Sequence, residues 1–99
     1  MQNKYSMCFS KEFLDKVQVE ELYRLKLISS IKDIGINDII KYIPNTLPNS
    51  KIQFKIENFV YWWRVGYYEN NLKLIVTDSK ELIDGLFGLV CTLKIQNLI

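Results

Sequence analysis

The sequence predicts an α+β fold: a three- or four-stranded antiparallel sheet, helices before it, and a C-terminal helix packed on one face. Three observations carry this. Residues 51–57 alternate between apolar Ile52, Phe54, Ile56 and polar Lys51, Gln53, Lys55, Glu57, and a period of two marks a half-buried strand. Residues 59–68 are rich in aromatic and β-branched side chains, which suit a pleated surface. Apolar residues recur at helical spacing from Leu14 onward and again after Asp78. The 99 residues make one domain, with 1–50 mostly helical, 51–77 the sheet and 78–95 a helix.

Residues 4–9 alternate weakly, with Tyr5, Met7 and Phe9 on one side, and are the candidate fourth, edge strand. Ser10 is placed to cap a short helix from Lys11 whose apolar side is Phe13, Leu14 and Val17. Val17-Gln18-Val19 is poor helix material and marks a break. A second helix is expected over residues 20–33, on the spacing of Leu22, Leu25, Ile28 and Ile31. Glu20 and Glu21 suit its first turn, and Glu20 with Arg24 forms an i,i+4 pair. Gly35 is expected to end it as a left-handed residue, after which Asn37 caps a short helix over 38–43 that Pro44 stops. Residues 45–50 read as the linker into the sheet.

The segment SIKDIGINDIIKYI, residues 30–43, is similar to a helix-hairpin-helix motif. That resemblance implies two helices around a tight glycine-containing hairpin whose backbone amides bind nucleic-acid phosphate. Only Gly35 matches the family's Gly-x-Gly; Asp33 stands where the other glycine would be, and a carboxylate there repels phosphate. An ordinary helical turn is the better reading.

Within the sheet, Asn70-Asn71 is a turn pair, since Asn tolerates the positive φ of a type I′ hairpin. Glu57-Asn58 is taken as the other turn. These two turns place Ile52, Phe54, Ile56, Phe59, Tyr61, Trp63, Val65, Tyr67, Leu74 and Val76 on one face. The opposite face then carries Lys51, Gln53, Lys55, Val60, Trp62, Arg64, Tyr68, Lys73, Ile75 and Thr77, four cations and two aromatics without a carboxylate. After the sheet, Asp78 to Glu81 reads as a D-x-x-E capping box opening a helix to about Lys94. Its polar stripe is narrow, so it should be largely buried against the sheet. Gly85 and Gly88 within it suggest close approach to another element, in this chain or in a second subunit.

Composition narrows the function. The formal net charge is +2, lower than a dedicated DNA binder usually carries. There is no histidine, the commonest general base near neutral pH. No nucleophile elbow, phosphate loop or paired-cysteine motif occurs, so the expectation is a non-enzymatic protein without cofactor or metal. Cys8 and Cys91 lie too far apart in sequence for a metal knuckle or redox pair and read as buried free thiols, the alternative being a disulfide between the termini, which needs an oxidising compartment. No apolar leader or run of about 20 apolar residues appears, so no membrane association is expected and the cytoplasm is the default location. Alanine is absent while Ile, Lys, Leu and Asn abound, the mark of an AT-rich genome such as a low-GC bacterium, its phages or plasmids, or a virus.

The outward face is the candidate site. Val60, Trp62, Tyr68 and Ile75 would be apolar anchors for a protein partner, with Lys51, Lys55, Arg64 and Lys73 as polar surround; Trp, Tyr and Arg most often dominate interfaces. This reads as a small binding protein, in context a phage- or mobile-element-encoded inhibitor of a host protein, and a homodimer through the same face or by edge-strand pairing is its nearest variant. The alternative is nucleic-acid or nucleotide binding, with Trp62 and Tyr68 stacking bases and the four cations meeting phosphates.

Overall fold

A computed structural model describes residues 11–47 and 51–99. Its centre is a three-stranded antiparallel sheet in the order β1-β2-β3, with β1 Ile52–Asn58, β2 Trp63–Glu69 and β3 Leu72–Ser79. Three helices accompany it: α1 Lys16–Arg24, α2 Ile36–Ile39, which runs on into a 3-10 turn Ile40–Tyr42, and α3 Leu82–Ile95. The architecture is the small α+β fold the alternation at 51–57 predicts. The candidate edge strand at 4–9, the Ser10 cap and Cys8 lie outside the described residues.

The turns decide the sheet, and one of the two differs from expectation. Asn70 and Asn71 adopt φ of 50° and 68°, the left-handed pair a type I′ turn requires. Glu57-Asn58 is not a turn: Phe59 N–H bonds the Trp62 carbonyl at 2.8 Å, and the chain reverses at Val60-Tyr61. Phe54 therefore faces Tyr67 and Ile56 faces Val65, a register displaced by six residues from the expected one. An even displacement keeps each residue on its face, because the side-chain period is two. Alternation alone cannot distinguish registers that differ by an even number. Phe59 and Tyr61, expected inward as strand residues, lie instead in the connecting loop.

β3 shows the opposite case. Tyr67 pairs with Ile75 but Tyr68 with Lys73, so a β-bulge leaves Leu74 as the extra residue. Beyond it the pairing is offset by one, which exchanges faces. Ile75 and Thr77 join Tyr67 and Val65 on the inner face, and Val76 pairs with Gly66 on the outer one. The expected placement of Ile75 outward and of Leu74 and Val76 inward is thereby corrected; Ile75 packs against the core and Leu74 is exposed.

α3 covers the inner face of β2 and β3 and also meets α2. This is why it is apolar almost all round, with Ile83, Leu86, Leu89, Val90 and Leu93 buried. Its two glycines face the sheet within this chain. A Cβ on Gly88 would sit 2.8 Å from Thr77 Cγ2, whereas one on Gly85 would meet Ser79 Cβ and Val65 Cγ2 at 3.5 Å, an ordinary contact. Gly85→Ala should therefore raise the melting temperature, by the helix-propensity gain of about 1 kcal/mol. Gly88→Ala should lower it, because Thr77 must move to admit the methyl. Thermal denaturation of the pair checks this, and the same sign for both would contradict the packing. The start of α3 also differs from expectation: Glu81 is the N-cap residue, and Asp78 stays in β3 with its carboxylate on Arg64.

Before the sheet, no helix begins at Lys11. Phe13 forms an antiparallel bridge with Gly35, and Leu14 N–H bonds the Ile34 carbonyl at 2.9 Å. α1 starts at Asp15, whose carboxylate accepts from Gln18 N–H while the Gln18 side chain accepts from Asp15 N–H, a capping box. Val17-Gln18-Val19 is thus helix rather than break. α1 stops at Arg24, well short of Asp33, so the helix-hairpin-helix resemblance is not realised. Gly35, at φ −100°, is the residue before α2, not a left-handed helix end, and its N–H is taken by the Asp38 carboxylate. Asn37 lies inside α2 instead of capping it.

The N-terminal part is tied to α3 by one polar cluster. Lys11 Nζ donates to Asp84 Oδ1 at 2.7 Å and to Gln18 Oε1 at 3.0 Å, and Gln18 Nε2 donates to the same Asp84 oxygen at 2.8 Å. Burial is the largest single influence and works against the Lys11 charge, but the carboxylates of Asp84 and Asp15 together outweigh it and hold the ammonium above its ordinary pKa.

Candidate binding surface

The outer sheet face can be read row by row from the pairing. Gln53, Tyr68 and Lys73 lie side by side, then Lys55, Gly66 and Val76, then Glu57, Arg64 and Asp78. Two carboxylates therefore share the face, contrary to the expected face without a carboxylate. Arg64 grips Asp78 through Nε–Oδ1 at 2.7 Å and Nη2–Oδ2 at 3.1 Å, a two-pronged charge-assisted pair. The Arg64 hydrogen bond holds the Asp78 carboxyl below the usual range. Glu57 accepts from the Tyr68 hydroxyl.

Tyr68, a proposed anchor, is buried although it lies on the outer side. Lys55 Nζ lies 5.1 Å from its ring centroid and reaches Asn71 Oδ1 at 3.5 Å. Burial, then the hydrogen bond to Glu57, raises the Tyr68 phenol above its ordinary pKa. The face keeps Lys55 and Lys73 exposed, while Lys51 stands one residue before β1. Ile75 is removed from the surface by the bulge.

Three of the candidates, Val60, Trp62 and Arg64, gather at one place, the tip of the β1–β2 hairpin. Phe59 and Trp62 stack with centroids 4.1 Å apart and planes 13° from parallel. The Arg64 guanidinium lies 4.9 Å from the Trp62 centroid and 5.7 Å from that of Phe59. Asp78 holds the guanidinium at its far side, so cation and rings are mutually oriented. Beyond the stack project Val60 and Tyr61, 78% and 82% exposed. Large apolar side chains so placed at a turn contribute little to the core, and turns ordinarily take Gly, Asn, Asp or Pro.

At the tip, Phe59 and Tyr61 are exposed where strand alternation places them inside. The signal for the bulge was present: a glycine within a strand pattern, here Gly66, points to close backbone approach. The tip carried no comparable turn signal.

Elsewhere the surface offers little chemistry. Among the described residues no group of three or more His, Cys, Asp or Glu is placed to hold a metal ion. Cys91 is half-buried in α3, and burial pushes its thiol up to about 11, which keeps it protonated and unreactive at neutral pH. No helix among the described residues is long and apolar enough to cross a membrane. Comparisons of the chain with protein-family models, curated proteins and solved structures find no match.

Proposed function

We propose that this chain is a non-enzymatic binding module that docks on another protein through the β1–β2 hairpin tip. The observation that supports this most is the pair Val60 and Tyr61, almost fully exposed beside the Phe59–Trp62 stack and Arg64. Aromatic and arginine side chains held in fixed positions lose little freedom on binding and form the strongest anchors in interfaces. The adjoining outer face, with Lys55, Lys73, Glu57 and Asp78, supplies a mixed-charge rim. Its two carboxylates favour a protein over a phosphate backbone as the partner. A module of this kind acts by occupying its partner's surface, which suits a cytoplasmic inhibitor of a host protein encoded on a phage or mobile element.

The test is capture from nuclease-treated host lysate on the immobilised full chain, with Tyr61→Ser alongside. A protein retained by the wild type should be lost with Tyr61→Ser, which should weaken binding by ~2 kcal/mol or more if Tyr61 is an anchor. Because Tyr61 is so exposed, its substitution should change stability by no more than ~0.5 kcal/mol. Equal capture by both chains, or capture that disappears on nuclease treatment, would remove the proposal.

A further inference from the structure

A second concave site lies at the end of α1, away from the hairpin. Lys26 closes the helix in the left-handed conformation, φ 65°. Its N–H bonds the Tyr23 carbonyl and Leu27 N–H bonds the Leu22 carbonyl, each at 3.0 Å, the two bonds of a Schellman closure. Glycine ordinarily fills this position, since a side chain there costs roughly 1–2 kcal/mol. A lysine in such a conformation is a backbone outlier, and outliers of this kind cluster at functional sites.

Lys26 lines an open depression of about 720 Å³, whose lining includes Tyr23, Arg24, Ile28, Lys32 and Tyr42. The volume falls in the range of small-molecule sites, ~300–1,000 Å³. Three cations and two tyrosines contribute to the lining and no carboxylate does. The neighbouring Glu21 is held by Arg24, whose Nε donates to it at 2.9 Å. Among the described residues Lys26 and Lys32 have no ion pair. The partial negative charge at the end of α1 opposes an anion, but it amounts to ~0.5 of a charge, and the Glu21, Leu22 and Tyr23 carbonyls are engaged in the closure.

We propose that this cavity binds a nucleoside mono- or diphosphate, its base against the tyrosine rings and its phosphate met by Lys26 and Lys32. The pairing of aromatic faces with unpaired cations is what selects this class: bare phosphate would leave the rings unused, and a neutral aromatic would leave the lysines unused. The site is separate from the hairpin tip and stands or falls independently of it.

Calorimetric titration of the full chain with ADP, adenosine and inorganic phosphate tests it. ADP should saturate with a Kd of ~10–100 μM, and adenosine and phosphate should each bind at least ~tenfold more weakly. Lys26→Gly keeps the helix closure and should melt no lower than the wild type. Lys26→Gly and Lys32→Ser should each weaken ADP at least ~tenfold, and Tyr61→Ser should leave it unchanged. No saturable ADP binding up to ~1 mM, or unaltered affinity in both lysine variants, would overturn the proposal. So would a single-stranded oligonucleotide that occupies the site at lower concentration than ADP does.

Discussion

Replacing Gly66 by alanine should cost about 3 kcal/mol or more, the largest loss expected from any single added methyl group. A Cβ on Gly66 would lie 2.1 Å from the Ile75 carbonyl oxygen and 2.6 Å from Val76 Cα. Both are backbone atoms of β3, so no side-chain rotation relieves the contact. The bulge at Leu74 brings this carbonyl over β2, and only a residue without a side chain fits beneath it. For a domain of this size, ~3 kcal/mol lowers the melting temperature by on the order of 10–20 °C. Differential scanning calorimetry measures it. A variant that melts within a few degrees of the wild type would show that β3 can shift, and the bulge with it.

Tyr67→Ala should be comparably severe, at ~3–5 kcal/mol. The Tyr67 ring is fully buried at the centre of the sheet's inner face and lies 5.7 Å from the Phe54 ring, centroid to centroid. Its hydroxyl donates to the Pro44 carbonyl at 2.6 Å, tying the segment before the sheet to β2. Tyr67→Phe separates the two contributions: it keeps the ring and should cost only ~1–1.5 kcal/mol, the net value of one buried hydrogen bond. Burial pushes the phenol up to about 12 from its ordinary 10.0. The folded pKa is the higher one, so the stability linked to this proton is complete below the unfolded value and is lost as the pH rises through the folded one. The advantage of the wild type over Tyr67→Phe should accordingly hold at neutral pH and shrink between pH 10.0 and about 12 in urea titrations. An advantage that persists unchanged through that window would mean the hydroxyl is not sealed from water.

The elements legible in the sequence are those with a local physical signature. Residues 52–56 are recognisable because strict alternation has one structural meaning, and Asn70-Asn71 because two positive φ values restrict the residue choice. The apolar helix after Asp78 is recognisable by its spacing and ends within one residue of the expected place. What was hidden depends on distant contacts. Register is unspecified by alternation up to even displacements, so the reversal at Val60-Tyr61 lay beyond what residues 51–58 alone determine. The early end of α1 was missed because Lys26 adopts a conformation the sequence gives no reason to expect of lysine. Asp15-x-x-Gln18 is a capping box, a local signal that competes with the poor helix propensity of the β-branched Val17 and Val19 and outweighs it. For the surface the outcome is divided. Trp62 stands in the loop beside Arg64 at the start of β2, while Glu57 and Asp78 appear on a face read as free of carboxylates.

The extra residue at Leu74 has a consequence for behaviour in concentrated solution. Among the described residues β3 is paired on one side only, and an unbroken outer strand of that length would be a template for neighbouring molecules to add to. Leu74 interrupts the even spacing of amides and carbonyls partway along, and exposed Lys73 places a charge just before the break. An incoming chain can match the row on one side of the interruption but not across it. The same kink that obliges position 66 to be bare thus breaks up the β3 edge as a template for an incoming strand.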